Sequence, residues 1–359
     1  MAYNDSVYGQ LLKLVSRHDH TSRCNVRKPN NSSNSVLTDS HGRSIDYVRL
    51  SVTDQCDLRC FYCLPKGYKA NTEPQQWLSF EEIERVMASF AQLGVRRVRI
   101  TGGEPLLRKN LPDLLQRLHI IPGIEDLSLS TNAVRLEKMA TQLKQAGVSR
   151  INVSLDSLQA DRFRQITGGK LDKILNGLLA AKAAGIQPIK INMLVMKGIN
   201  DDEVFDMVAY CIEHNFTLRF IETMPMGATG KTASAYYMSL ETIRERLGRR
   251  FSLLPSVVPG GGPARYVRIT GTDIMIGFIT PISQHFCDTC NRVRLSAEGS
   301  IYLCLGQNDV QPLRNMLRSG ISNSELTQQI YKAIQRKPLK HDFSGSPQQM
   351  VRFMAHTGG

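Results

Sequence analysis

From Tyr47 onward the chain alternates short β-branched runs with stretches whose apolar residues recur at helical spacing. Tyr47–Val52 reads as a strand. Phe80, Ile83, Val86, Met87, Phe90 and Leu93 then share one helical face. Ser79, with Glu82 three residues on, predicts a capping box at the start of that helix, and Gly94 predicts its end. Val95–Thr101 predicts a second strand, followed by a Gly-rich turn and a helix near Leu111–Leu118. Further strands are expected at Leu127–Ser130, Arg150–Leu155, Ile189–Val195 and Leu218–Glu222. Helices are expected at Leu136–Ala146, Ala160–Ile166, Leu171–Ala184 and Asp201–His214, with Gly147 and Gly185 as stops.

Six strand–helix units at about 30 residues each predict a parallel sheet with right-handed crossovers. The expected fold class is α/β, a partial (β/α)6 barrel of the TIM type; a doubly wound open sheet is the rival. In either, ligands belong at the C-terminal ends of the strands. After Gly227 the pattern changes to one helix at Ser239–Leu247 and a Pro/Gly loop. Short strands are expected at Arg265–Thr270, Ile274–Ile279, Arg292–Ser296 and Ser300–Leu303, and helices near Pro312–Leu317 and Ser324–Gln335. A boundary near residue 230 divides a barrel, 37–230, from a C-terminal α+β region, 231–359. Residues 1–36, with their Asn/Ser run, read as a flexible extension carrying one short helix around Val7–Val15.

Composition adds bounds. The 359 residues, 42% hydrophobic and 21% charged, suit an ordinary soluble protein and exclude a disordered, collagenous or coiled-coil chain. No apolar run approaches the ~20 residues of a membrane helix, and no export signal is visible, so no membrane partner and a cytoplasmic location are expected. The net charge of +13 is uneven: residues 231–359 hold 16 Lys/Arg against eight Asp/Glu. A basic surface there would suit an acidic ligand, either a nucleic acid or a nucleotide phosphate.

Six of the eight cysteines fall into two triplets. Without export, metal or redox roles come before disulfides. Cys56, Cys60 and Cys63 follow the first strand directly. Zinc accepts such spacing but wants a fourth ligand, and no His or Cys lies between Cys63 and His119. Three thiolates on a four-iron cluster would leave one iron open. Cys287, Cys290 and Cys304 repeat that arithmetic. Zinc with a distant fourth ligand, Cys211 or His285, is the alternative there. Arg292 and Arg294 follow Cys290, and strand alternation puts them on one face, a geometry suited to phosphate.

The Cys-x3-Cys-x2-Cys motif, with Tyr62 before its last cysteine, resembles the signature of radical S-adenosylmethionine enzymes. Thr101-Gly102-Gly103-Glu104-Pro105, one strand later, resembles that superfamily's Gly-Gly-Glu-Pro motif. The resemblance implies that Cys56, Cys60 and Cys63 hold a [4Fe-4S] cluster whose open iron binds S-adenosylmethionine. Cleavage of that cofactor would yield a 5′-deoxyadenosyl radical.

Four further features narrow the resemblance: Cys287–Arg294, Cys304, the terminal Gly358-Gly359, and the start Leu37-Thr38-Asp39-x-His41-Gly42-Arg43. Together they resemble the GTP 3′,8-cyclase family of molybdenum cofactor biosynthesis, from about residue 37 to the C-terminus. That implies a second [4Fe-4S] cluster on Cys287, Cys290 and Cys304, with its open iron on the guanine of GTP. It implies S-adenosylmethionine contacts from Tyr62, Gly103, Ser154 and Met224. It implies GTP contacts from Arg49, Arg99, Ser130, Lys190, Arg292 and Arg294, with Arg292, Arg294, Gly358 and Gly359 serving catalysis. The implied reaction takes the ribose C3′ hydrogen and joins C3′ to guanine C8. Further implications are an external electron donor, a homodimer, no nucleic-acid partner, and a product passed to cyclic pyranopterin monophosphate synthase. This chain departs from the family with Ser130-Thr131-Asn132-Ala133 for the usual Thr-Thr-Asn-Gly, and with Asp57 for Asn. Two other readings share parts of the pattern: a radical enzyme acting on peptide or RNA, and a non-catalytic zinc- and nucleic-acid-binding protein. Cys24 and Cys211 have no assigned role.

Overall fold

The computed structural model describes residues 36–65, 67–68, 74–258, 261–341, 343 and 352–358. Cys24, the Val7–Val15 helix and Gly359 lie outside the described residues. The six expected strands form as β1 (Tyr47–Ser51), β2 (Arg97–Thr101), β3 (Asp126–Thr131), β4 (Arg150–Ser154), β5 (Ile189–Leu194) and β6 (Thr217–Ile221). They pair in that order, all parallel.

Later strands extend this sheet at both edges. They are β7 (Leu253–Ser256), β8 (Arg265–Ile269), β9 (Met275–Ile279), β10 (Arg292–Leu295), β11 (Ser300–Tyr302) and β12 (Val310–Pro312). β10 joins β1 and β9 joins β6, both parallel, so the parallel set grows from six strands to eight. β11–β12 and β8–β7 continue antiparallel beyond them. The expected strands of the C-terminal region therefore build the same sheet as the first six. Two strands, β7 and β12, have no counterpart in the sequence reading. β7 (Leu253-Leu254-Pro255-Ser256) is short and carries a proline, which hides a strand signal. β12 occupies the start of the helix expected at Pro312–Leu317; the helix itself is Arg314–Arg318.

Each parallel strand alternates. Val48, Leu50, Val98, Ile100, Leu127, Leu129, Ile151, Val153, Ile191, Met193, Leu218 and Phe220 are buried in one core with Ile83, Val86 and Phe90 of the helix Phe80–Gln92. That helix starts at the predicted Ser79–Glu82 capping box. Most of the intervening residues of β1 to β6 are polar and occupy the other face of the sheet.

Gly177 lies where helix Leu171–Ala183 crosses the start of helix Leu136–Gln145; a Cβ there would meet Ala133 O at 2.6 Å and Leu136 Cβ at 3.1 Å. Gly248 ends helix Leu240–Gly248 in open space. Gly177→Ala is expected to lose about 1–3 kcal/mol to the clash, less the helix preference of alanine. Gly248→Ala is expected to gain up to about 1 kcal/mol. Thermal denaturation of the two variants checks the opposite signs.

Candidate active site

The polar face of the parallel strands is dominated by cations. In register across the sheet, Arg294 neighbours Arg49, Arg49 neighbours Arg99, Arg99 neighbours Ser128, and Ser128 neighbours Arg150. One step along, Ser130, Asn152, Lys190 and Thr217 form a second row. Ser154, Asn192, Arg219 and Gly277 form a third. The carboxylates on or beside this face are engaged near the strand starts: Asp46 with Arg97 and Asp126 with Arg150.

Burial and mutual repulsion act on the remaining cations. Arg49 is held well below the usual guanidinium range by burial, then by Arg294, Arg99 and Arg292. Burial, then Arg292 and Arg352, lowers Arg294 to about 10. Burial lowers Arg219 to about 10. Lys190, 6% exposed, falls to about 7 through burial and then Arg219, Arg150 and Arg99. Its ammonium sits 5.8 Å from the Tyr266 ring centroid. Arg99 and Arg292 stand over the Tyr47 ring at 5.3 and 5.8 Å. The buried Nε atoms of Arg150, Arg219 and Arg292, and Asn192 Oδ1, have no hydrogen-bond partner among the described residues. Orphaned buried polar atoms of this kind, three donors and one acceptor, call for a ligand.

The first cysteine triplet lies beyond the C-terminal end of β1. Its loop is fixed by backbone bonds from Arg59 N–H to Thr167 O and Phe61 N–H to Ile166 O. Gly102 and Gly103 follow β2 and press against Thr53–Gln55, just before Cys56. A Cβ on Gly103 would stand 2.2 Å from Gln55 O, and one on Gly102 2.5 Å from Thr53 O. Glu104 accepts from Thr131 Oγ1, Asn132 N–H and Leu106 N–H at 2.7, 2.7 and 3.0 Å, while burial raises it to about 7. The Asn132 amide then donates to Asp57 at 2.7 Å and approaches Cys56 Sγ at 3.9 Å. Asp57, which replaces asparagine, accepts from Asn132 and pairs with Arg135, so its carboxylate is satisfied. Ala133, which replaces glycine, adopts φ 65° and is fully buried. The strain of about 1 kcal/mol is offset by burial of its methyl, about 0.8 kcal/mol.

Tyr62 donates to Asp156 at 2.7 Å; burial raises that carboxyl to about 6. Ser154 stands exposed at the end of β4, and Met224 is half-buried after β6. Tyr62, Gly103, Ser154 and Met224 all follow the C-terminal ends of parallel strands or close them.

The second triplet lies at the other end of the sheet. Cys290 precedes Arg292, which pairs with Tyr47, the first residue of β1. Cys304 follows β11, antiparallel to β10, and so returns to the same level. Five-residue strands put roughly 15 Å between the two ends. The described C-terminal segment joins them. Arg352 donates to Cys304 O at 3.2 Å and Leu305 O at 2.9 Å, the Ala355 N–H donates to Cys63 Sγ, and Arg294 donates to Gly358 O. Gly358 has φ 78°, and a Cβ would fall 2.1 Å from Thr101 Cγ2.

All six cysteines are free thiols. Burial raises Cys56 to about 12 and Cys63 to about 11, so these thiols ionise only opposite a bound cation. Burial opposes ionisation of Cys290, but Lys337, Arg292 and Arg43 outweigh it and hold it below the ordinary thiol value. Among the described residues no three His, Cys, Asp or Glu side chains converge as they would on a lone metal ion. A four-iron cluster takes its thiolates on separate corners, and within each triplet the thiols are near enough to act on one another by charge, Cys56 and Cys63 on Cys60 and Cys287 and Cys290 on Cys304. Cys211 is buried in a core helix and belongs to packing.

Residues 50–211 match the radical SAM superfamily, and residues 216–343 match the family described as Molybdenum Cofactor Synthesis C. A GTP 3′,8-cyclase of Paracoccus denitrificans is 45% identical over 331 residues, covering 90% of this chain and 96% of that protein. One from Hydrogenovibrio crunogenus is 46% identical over 330 residues, covering 90% and 100%. The chain belongs to the GTP 3′,8-cyclase family. Streptococcus suis SuiB bound to S-adenosylmethionine shares the fold at a TM-score of 0.58 and 16% identity, over 82% of this chain and 69% of that one. Radical S-adenosylmethionine chemistry and two [4Fe-4S] clusters go with that family.

Of the residues the sequence singled out, Arg49, Arg99, Ser130, Lys190, Arg292 and Arg294 all fall on the polar sheet face. Arg150, Asn152, Asn192 and Arg219 share that face and went unnoticed. Their signal was available: polar residues recur at every second position in strands that a parallel sheet normally fills with apolar ones. Of the basic excess after residue 230, Arg292 and Arg294 lie on the polar sheet face, while Arg244, Arg249, Arg250, Arg265 and Arg268 are exposed.

Gly103→Ala is expected to push back Thr53–Gln55 and displace Cys56. After anaerobic reconstitution its iron content should fall to about half that of the parent, one four-iron cluster in place of two. Undiminished iron would show that the loop absorbs the methyl.

Proposed function

We propose that this chain cyclises GTP to 3′,8-cyclo-7,8-dihydro-GTP, the first step of molybdenum cofactor biosynthesis. The observation that carries the reading is the buried cationic face between two cysteine triplets. A triphosphate is the polyanion that satisfies such a face, and arginine suits it by bidentate contact. Cys56, Cys60 and Cys63 would hold the cluster for S-adenosylmethionine, and Cys287, Cys290 and Cys304 the cluster facing guanine. When bound, the first cluster and S-adenosylmethionine supply the 5′-deoxyadenosyl radical that takes the C3′ hydrogen of GTP and leaves C3′ to attack C8.

The chain's own residues position and shield. Arg49, Arg99, Lys190, Arg292 and Arg294 would grip the triphosphate, joined by Arg219 and Arg150. Ser130 would contact GTP beside Asn152, its neighbour at 3.4 Å. Gly103 and Ser154 would hold the methionine end of the cofactor and Tyr62 its adenine, with Met224 packing beside it. Gly358, held by Arg294, and the adjoining Gly359 would close the reaction space against water, which protects a reactive intermediate. A one-electron donor from outside the chain, a homodimer, a cytoplasmic setting and delivery of product to cyclic pyranopterin monophosphate synthase complete the reading. The family resemblance supports these last four. Among the described residues no helix is long and apolar enough to cross a membrane.

Anaerobic reconstitution is expected to load about eight irons per chain, two four-iron clusters. S-adenosylmethionine, GTP and a reductant should then yield 5′-deoxyadenosine together with the cyclised nucleotide. Stoichiometric zinc, or 5′-deoxyadenosine formed without any GTP product, would overturn the reading.

Lys190 gives a pH signature. Its value near 7 reflects burial and the neighbours Arg219, Arg150 and Arg99, with Asp126 opposing them. A bound triphosphate raises it, so GTP binding at pH 8 takes up a proton. Affinity falls as pH rises above 7. Calorimetry in two buffers of different ionisation enthalpy should detect the uptake, and Lys190→Met should abolish it.

A further inference from the structure

The motif Asp39-x-His41-Gly42-Arg43 and the segment around Lys337 are not used by the reaction as described, yet both converge on the second cysteine triplet. Arg43 pairs with Asp39 at 2.7 Å and donates to Cys287 O at 2.9 Å. It also donates to Leu339 O and Pro338 O, each at 2.7 Å. One buried guanidinium thus ties the first cysteine of the triplet to the residues that follow Lys337.

Lys337 is 2% exposed, and its Nζ donates to Leu303 O, next to Cys304, at 2.5 Å. Among the described residues no carboxylate lies within ion-pair distance of it, whereas Arg43 has Asp39. A lysine is almost never fully buried without a partner of opposite charge. An ammonium carries three donors, and a single carbonyl does not neutralise it.

We propose that Lys337 is the built-in counter-charge of the second iron–sulfur cluster, held in place by the Asp39–Arg43 brace, and that it raises the potential at which that cluster accepts an electron. The inference rests on the two-cluster reading. Three thiolates bring negative charge into this corner, and reduction adds one more. A fixed ammonium bonded to the carbonyl next to Cys304 offsets that addition. Charge near the sulfurs is one of the terms that set the potentials of such clusters. Lys337 is a positioning and tuning residue; nothing places it on substrate.

The test uses the full chain with the first triplet replaced by alanine, so that only the second cluster titrates. Parent, Lys337→Met and Lys337→Arg forms are reconstituted, assayed for iron, and reduced stepwise while the electron paramagnetic resonance signal is followed. Lys337→Met is expected to lower the one-electron reduction constant at least tenfold, a downward shift of about 59 mV. Lys337→Arg should stay near the parent. If the methionine form does not retain iron while the arginine form does, the charge requirement is equally upheld. An unchanged potential in Lys337→Met, or equal change in both variants, would overturn the inference and leave Lys337 a packing residue. If the parent itself takes up no second cluster, the two-cluster reading fails instead, and the two failures are distinct.

Discussion

A guanidinium buried among other guanidiniums is stable only opposite an anion. That constraint organises this molecule. Period-two alternation sends the apolar residues of every parallel strand toward the helices and the polar ones to the opposite face. Because those polar residues are Arg49, Arg99, Arg219, Arg294 and Lys190, folding builds a concentrated positive field. The carboxylates that could quench it are spent on Arg97 and Arg150 at the strand starts. Burial and like charge lower Arg49, Lys190, Arg219 and Arg294 together. The hydrophobic core outside the sheet supplies the stability that lets this face exist.

The two cysteine triplets bracket that field because of strand direction alone. A loop after β1 belongs to one end of the sheet, and a loop before β10, parallel to β1, belongs to the other. A ligand lying along the strands between them meets one triplet at each end. The C-terminal segment runs the same path, from the Cys304 carbonyl past Cys63 to Arg294, and fixes Gly358 where only a glycine fits against Thr101.

Much of this was legible beforehand. The six strand–helix units follow from periodicity, and the capped helix at Ser79 from four residues. The triplets and Gly-Gly-Glu-Pro were visible as motifs, and the structure gives the glycines a reason: the carbonyls of Thr53 and Gln55 leave no room for a Cβ. What sequence hid were pairings between distant segments. The joining of β9 and β10 to opposite edges of the first six strands depends on contacts across more than 50 residues. That Arg150 and Arg219 join the same cationic field emerges only from the register of neighbouring strands. Asp57 and Ala133 stood out as departures, and only the Asn132, Arg135 and helix contacts around them show why each is accommodated.

The most direct measurement is the thermal stability of the chain titrated with GTP, inorganic tripolyphosphate and guanosine. A ligand bound to the folded state alone raises stability with concentration, by about 2.7 kcal/mol at a hundred times its dissociation constant. If the cationic face is built for a polyanion, GTP raises the midpoint most, tripolyphosphate raises it in part, and guanosine leaves it nearly unmoved. Stabilisation by guanosine equal to that by GTP, with tripolyphosphate inert, would contradict the account.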